Sequence, residues 1–176
     1  MSLPVDMLVN EHKLIIQAVD AIKKRISVIE ASQTVDSHGI MVMVDFFRVY
    51  ADRFHHGKEE GILFRALYQK KMEESDNKVM KDLFQEHAFA RKAVTELEKA
   101  NQSYVLGNKE ALNEILEILS TLSKFYPTHI EKEDKHFFYH CMEYVSLDER
   151  QQMMSEFQQF NSNFTENRYA QVVKTL

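Results

Sequence analysis

The chain has 176 residues, 44% hydrophobic and 28% charged, which fits one globular domain with a sizeable core and excludes a disordered chain. Its net charge of -5, with no dense basic run, argues against nucleic acid as a partner. No apolar run approaches the ~20 residues of a membrane span, no signal-peptide pattern opens the chain, and one cysteine, Cys141, makes no internal disulfide. The expected location is therefore the cytoplasm.

Four glycines and two prolines leave few turn signals, so the composition favours a few long helices over many short strands. The first predicted helix covers about residues 5–31, with an apolar stripe Leu8, His12, Ile15, Val19, Ile22, Ile26 and Ile29 at steps of three and four. After a polar stretch, a second covers about residues 40–72 and is rich in aromatics, including Phe46, Phe47, Tyr50 and Phe54. Ser75 or Asp76 is the predicted N-cap of a third, whose face carries Met80, Leu83, His87, Ala90, Val94 and Leu97 and which stops near Gly107. The fourth covers about residues 109–144. Pro127 lies inside it and removes a backbone hydrogen bond at a cost of roughly 3 kcal/mol, so a kink is predicted there. The capping-box residues Ser146 and Glu149 start a C-terminal helix over about residues 147–174. The predicted fold is all-α: one domain over residues 1–176, with an up-down-up-down four-helix bundle over about residues 5–144 and one additional C-terminal helix.

An internal repeat marks a site. Glu11-His12 recurs 75 residues later as Glu86-His87, and the run from His55 to Glu60 recurs 74 residues later from His129 to Asp134. Each half therefore offers one histidine followed by a His-x-x-x-Glu motif: His12 with His55 and Glu59, then His87 with His129 and Glu133. These histidines interrupt apolar stripes, where imidazole needs a partner, and each glutamate lies one turn beyond its histidine on the same face. Buried carboxylates without a cation are costly. Four imidazoles and two carboxylates able to bridge two cations make a nitrogen and oxygen site without thiolate, which suits iron or manganese better than structural zinc.

Stepping back by fours from His55 meets Ala51, Phe47 and Met43, whereas His56 meets Asp52, Arg48 and Val44. His55 with Glu59 is therefore the predicted core-facing pair, and His56 and Glu60 are predicted to flank it. Phe46, Phe47, Phe54, Phe84 and Phe125 are assigned to the core, Cys141 to packing, and His38 to the surface. His136 and His140 continue the face of His129 towards the end of the bundle.

On these residues the chain resembles the hemerythrin-like (HHE cation-binding) domains over about residues 5–144. The resemblance implies a non-haem centre of two iron ions, bridged by Glu59 and Glu133 and open to an oxo bridge, with His12, His55, His87 and His129 as further ligands. It implies a protein that binds or senses oxygen, nitric oxide or iron. The small diatomic ligand is then its expected partner, and no protein partner is indicated. The alternative is an enzyme-like role in peroxide or nitric-oxide turnover or in iron-centre repair; binding is preferred to catalysis. The oxygen carriers of this family have a second histidine one turn after the first on the third helix, where this chain has Arg91. They also end the last motif with Asp at its fifth position, where this chain has Glu133 at the fourth and Asp134 at the fifth. The pattern is closer to bacterial iron-centre repair proteins and cellular iron sensors, and Arg91 predicts fewer nitrogen donors at one iron.

Overall fold

A computed structural model describes residues 3–162, 164 and 166–176. Four long helices form the bundle: α1 (Val5–Ser32), α2 (residues 37–67), α3 (Glu74–Val105) and α4 (residues 111–141). α1 lies against α4, α4 against α3, and α3 against α2, while the middle of α2 closes the ring onto α1. This antiparallel arrangement is the predicted one. No helix among the described residues is long and apolar enough to cross a membrane.

Local signals account for the ends. Gln33 caps α1 in the left-handed region (φ 52°), with its amide donating to Ile29. Asp36 caps α2 by accepting from the Gly39 amide. Gly107, at φ +99°, turns the chain out of α3 as only glycine does without strain. The Ser146–Glu149 capping box forms in both directions. α4 runs through Pro127 as one helix, and one expectation shifts. α3 begins at Glu74, ahead of the predicted caps, because Asp76 is instead buried and accepts a hydrogen bond from Tyr144.

The winding of α2 and α4 departs from the α-helical expectation. Phe46–His56 and Glu59–Phe64 in α2, and Glu133–Phe137 in α4, are π-helical, with wider turns and i→i+5 hydrogen bonds. Both His-x-x-x-Glu motifs thus run into a π-wound stretch at their glutamate.

The predicted single C-terminal helix is two: α5 (Leu147–Ser162) and α6 (Glu166–Thr175). Two aromatics beyond α5 reach α2. Phe164 stacks on Phe54 at 4.1 Å, Tyr169 packs against Tyr50 and Phe46, and the Tyr169 hydroxyl donates to Asp45. Phe84, assigned to the core from sequence, lies 40% exposed.

Two apolar clusters fill the interior. One contains Ile15, Val19, Phe54, Ala90 and Tyr126; the other contains Leu8, Ile62, Leu83 and Phe137. Each long helix passes from one cluster to the other through a polar residue of the repeat: His12, His55 with Glu59, His87, and His129 with Glu133. The polar layer is therefore enclosed by hydrocarbon above and below.

Candidate metal centre

The six predicted residues meet in this layer. His12, His55, Glu59, His87, His129 and Glu133 are each 2% exposed or less. They and one further residue sort into two groups, His12 with His55, Glu59 and Glu133, and His56 with His87 and His129, each with ligand atoms within 4.8 Å of one another.

The glutamates connect the groups. Glu59 sets Oε1 3.1 Å from His55 Nε2 and Oε2 3.3 Å from His87 Nε2. Glu133 sets Oε2 3.2 Å from His12 Nε2 and Oε1 3.3 Å from His129 Nε2. The His12 and His55 Nε2 atoms lie 2.8 Å apart. Separations of roughly 3 Å are those of neighbouring donors on one ion with bonds of about 2.0–2.2 Å. No oxygen of Glu59 or Glu133, and neither His87 Nε2 nor His129 Nε2, has a hydrogen-bond partner among the described residues. Seven buried donors converging on two points, with six of their atoms outside any hydrogen bond among the described residues, fit a pair of cations.

His56 corrects the sequence reading. It was predicted to flank the site, yet it is 1% exposed and stacks on His87 with ring centroids 3.8 Å apart. The physical reason is the π winding of α2. An α-helix turns neighbouring residues 100° apart, which forces a choice between His55 and His56; the wider turn brings both inward. Arg91 pairs with Asp52 and Glu60. The position held by histidine in the carriers is occupied by a guanidinium directed away from the centre, but His56 brings a third imidazole to His87 and His129 from another helix.

Every imidazole of the layer presents Nδ1 to a carboxylate: His12 to Asp134 at 2.8 Å, His55 to Glu11 at 3.0 Å, His87 to Glu60 at 2.7 Å, His129 to Glu86 at 2.8 Å and His56 to Asp52 at 3.4 Å. Such a partner orients the ring and leaves Nε2 free to ligate. The pairing obeys the repeat, since Glu11 serves His55 as Glu86 serves His129, and Glu60 serves His87 as Asp134 serves His12. Lys58 donates to Glu11 as Lys132 donates to Glu86. The sequence signal for these outer carboxylates was the recurrence of Glu11-His12, Glu59-Glu60 and their counterparts, but only the fold shows that each serves the histidine of another helix.

The charges agree with two divalent ions. Asp52, Glu11, Glu59, Glu60, Glu86, Glu133 and Asp134 face Lys58, Lys132 and Arg91, which leaves four negative charges around neutral imidazoles. In the metal-free chain protons take up part of this charge. Burial works against the charged form of His12, but Asp134 and Glu133 prevail and hold its pKa up to about 10. His87 is likewise held up to about 10, with burial opposed by Glu133 and Glu60. His55 is raised, burial being outweighed by Glu59 and Glu11 against the opposing charge of His12. His56 is pushed well below its ordinary value, by burial first and then by the neighbouring imidazoles.

The remaining candidates lie outside the centre. His38 and His136 are exposed, His140 is half exposed and meets Asp76 at 3.1 Å, and Cys141 is buried in the second apolar cluster. Tyr126 is buried and lines a cavity of about 250 Å³ that also touches His56.

A helical bundle enclosing two joined groups of histidine and glutamate ligands belongs to the class of cation-binding domains and is consistent with a di-metal site. Residues 3–141 match the hemerythrin HHE cation binding domain. The chain belongs to that family, and α5 and α6 lie beyond the matched region. No match was found among curated proteins or among solved structures.

Proposed function

We propose that the chain is a non-haem di-iron protein that binds or senses a small diatomic ligand, oxygen or nitric oxide. The observation that carries this reading is the aim of Glu59 and Glu133, each directing one oxygen to either group of imidazoles, with no hydrogen-bond partner for any of the four oxygens among the described residues. Oxygen and imidazole donors without thiolate favour iron, and the single cysteine, buried in the second apolar cluster, suits a reducing compartment such as the cytoplasm. Two irons would supply a change of oxidation state and an exchangeable ligand position.

The chain's own residues do the rest. Glu59 and Glu133 tie the two positions together, while Glu11, Glu60, Glu86, Asp134 and Asp52 fix the rings. His56, His87 and His129 with one oxygen of each glutamate offer five donors, and His12 and His55 with the other two oxygens offer four. The smaller donor set leaves the His12 and His55 side as the place for an exogenous ligand. The donors are nearly fully buried, so a ligand of two atoms reaches them with far less rearrangement than a larger substrate, which favours binding over enzymatic work on bulky molecules.

Elemental analysis and optical spectra test this. The expected result is about two irons per chain, and an absorption change at stoichiometric oxygen or nitric oxide when the anaerobically reduced protein is mixed with either gas. A chain purified and reconstituted with iron that retains none refutes the di-iron reading. Steady consumption of the ligand, in place of one stoichiometric change, would move the assignment to turnover.

A further inference from the structure

The two halves of the repeat are equivalent at nearly every polar position, and they differ at one corner. His56, Asp52 and Arg91 stand where the other half has Ile130, Tyr126 and Ile16. We propose that Arg91 is a positioning residue that, through Asp52 and Glu60, holds His56 and His87 as ligands of one metal and so makes the two metal positions unequal. The inference rests on the di-metal reading above and concerns a residue that touches no ligand atom.

The geometry of the guanidinium is the argument. Arg91 donates through Nε to Asp52 Oδ1 at 2.7 Å and through Nη2 to Glu60 Oε1 at 2.7 Å. Glu60 Oε1 accepts from His87 Nδ1 at 2.7 Å, and Asp52 Oδ1 faces His56 Nδ1 at 3.4 Å. One rigid fork therefore spans the carboxylates behind two stacked imidazoles of the same group. On the opposite side, Asp134 stands behind His12, and no arginine or lysine reaches it among the described residues. The equivalent of His56 there is Ile130, 7% exposed within the apolar cluster. Without Arg91, Asp52 and Glu60 would face each other as like charges across that corner, and His56 would lose the support that sets its ring against His87. Lysine, a point charge, holds one carboxylate at a time and is a partial substitute.

Arg91 is open to substitution because its side chain is 39% exposed and lines the 250 Å³ cavity with Arg48, Arg53 and Tyr126. The test is anaerobic titration of the full chain with ferrous iron against a competing chelator, which yields two dissociation constants. The wild-type constants should differ by at least ~10-fold, because one position has an extra imidazole. Arg91→Leu should weaken the tighter ion about 10–100-fold, as loss of an outer partner of a ligating histidine does, and leave the weaker ion within about threefold. Arg91→Lys should fall between. His56→Ile, which copies the other half, should bring the two constants together while the metal-free protein keeps its helical content. Two ions held equally in the wild type, or Arg91→Leu weakening both ions alike or neither, would overturn the inference and leave the di-metal reading intact. Failure of the wild type to take up ferrous iron would overturn both.

Discussion

The two lysines of the repeat make the same contact in different surroundings, so one substitution has two calculable outcomes. Lys58 is fully buried; it pairs with Glu11, which is 4% exposed, donates to Asn161 of α5 at 2.9 Å, and lies 3.6 Å above the centre of the Phe54 ring. Lys132 pairs with Glu86, and both are nearly 30% exposed. Lys58→Met leaves the Glu11 carboxylate buried beside apolar atoms, and breaking a buried pair from one side costs about 3–5 kcal/mol. Lys132→Met leaves Glu86 with access to water, and an exposed pair contributes under about 1 kcal/mol. For a chain of this length 1 kcal/mol corresponds to about 2–4 °C, so thermal midpoints should fall by roughly 6–20 °C for Lys58→Met and by less than about 4 °C for Lys132→Met. The assay is thermal unfolding of the metal-free proteins by circular dichroism at one pH and protein concentration. A second measurement isolates the charge: Glu11→Gln added to Lys58→Met should recover most of the loss, since the amide still accepts from His55 and no longer needs a cation. Equal losses for the two lysines, or a double variant no more stable than Lys58→Met, would refute the assignment of the cost to a buried unpaired carboxylate.

Three further outcomes follow from the same geometry. His12 and His87 are held up to about 10 and His55 is also raised in the metal-free chain, so loading both metals at neutral pH should displace protons from these imidazoles. Affinity measured by chelator competition should therefore rise on the order of 10-fold per ion and per pH unit between pH 7 and 9, and a flat profile would show that those imidazoles start neutral. Metal-free stability should move the other way. Histidines raised from 6.5 to about 10 contribute stability fully present below pH 6.5 and lost as pH rises through about 10, which denaturant unfolding at a series of pH values checks. His55→Ala and His129→Ala should each reduce bound metal from about two ions towards one after gel filtration, whereas His56→Ala should keep both ions and lower the affinity of the tighter one in chelator competition; an unchanged affinity would return His56 to the flanking role read from sequence.

Much of this molecule is legible along the chain because helices bury residues at a regular step. The stripes that run from Leu8 to Ile29 and from Met80 to Leu97 locate α1 and α3, and the histidines that interrupt them locate the polar layer. The repeat then pairs His12 with His87 and His55 with His129, since two copies of a motif packed about a pseudo-twofold bring like positions together. Periodicity fails where the winding itself changes. The choice of His55 over His56 assumes 3.6 residues per turn, and the π-wound stretch Phe46–His56 brings both rings inward. The position of Arg91 along α3 is visible in the sequence, whereas the rotation of α2 that sets His56 beside His87 is not. The outer carboxylates are visible as repeated dipeptides, but their partners lie on other helices: Glu11 precedes one histidine and serves a different one 44 residues away. The chain by itself therefore determines which residues are polar in an apolar face, a local property of spacing. Which imidazole faces which carboxylate, and how many reach each metal position, depends on helix rotation and crossing, which only packing of the four helices decides.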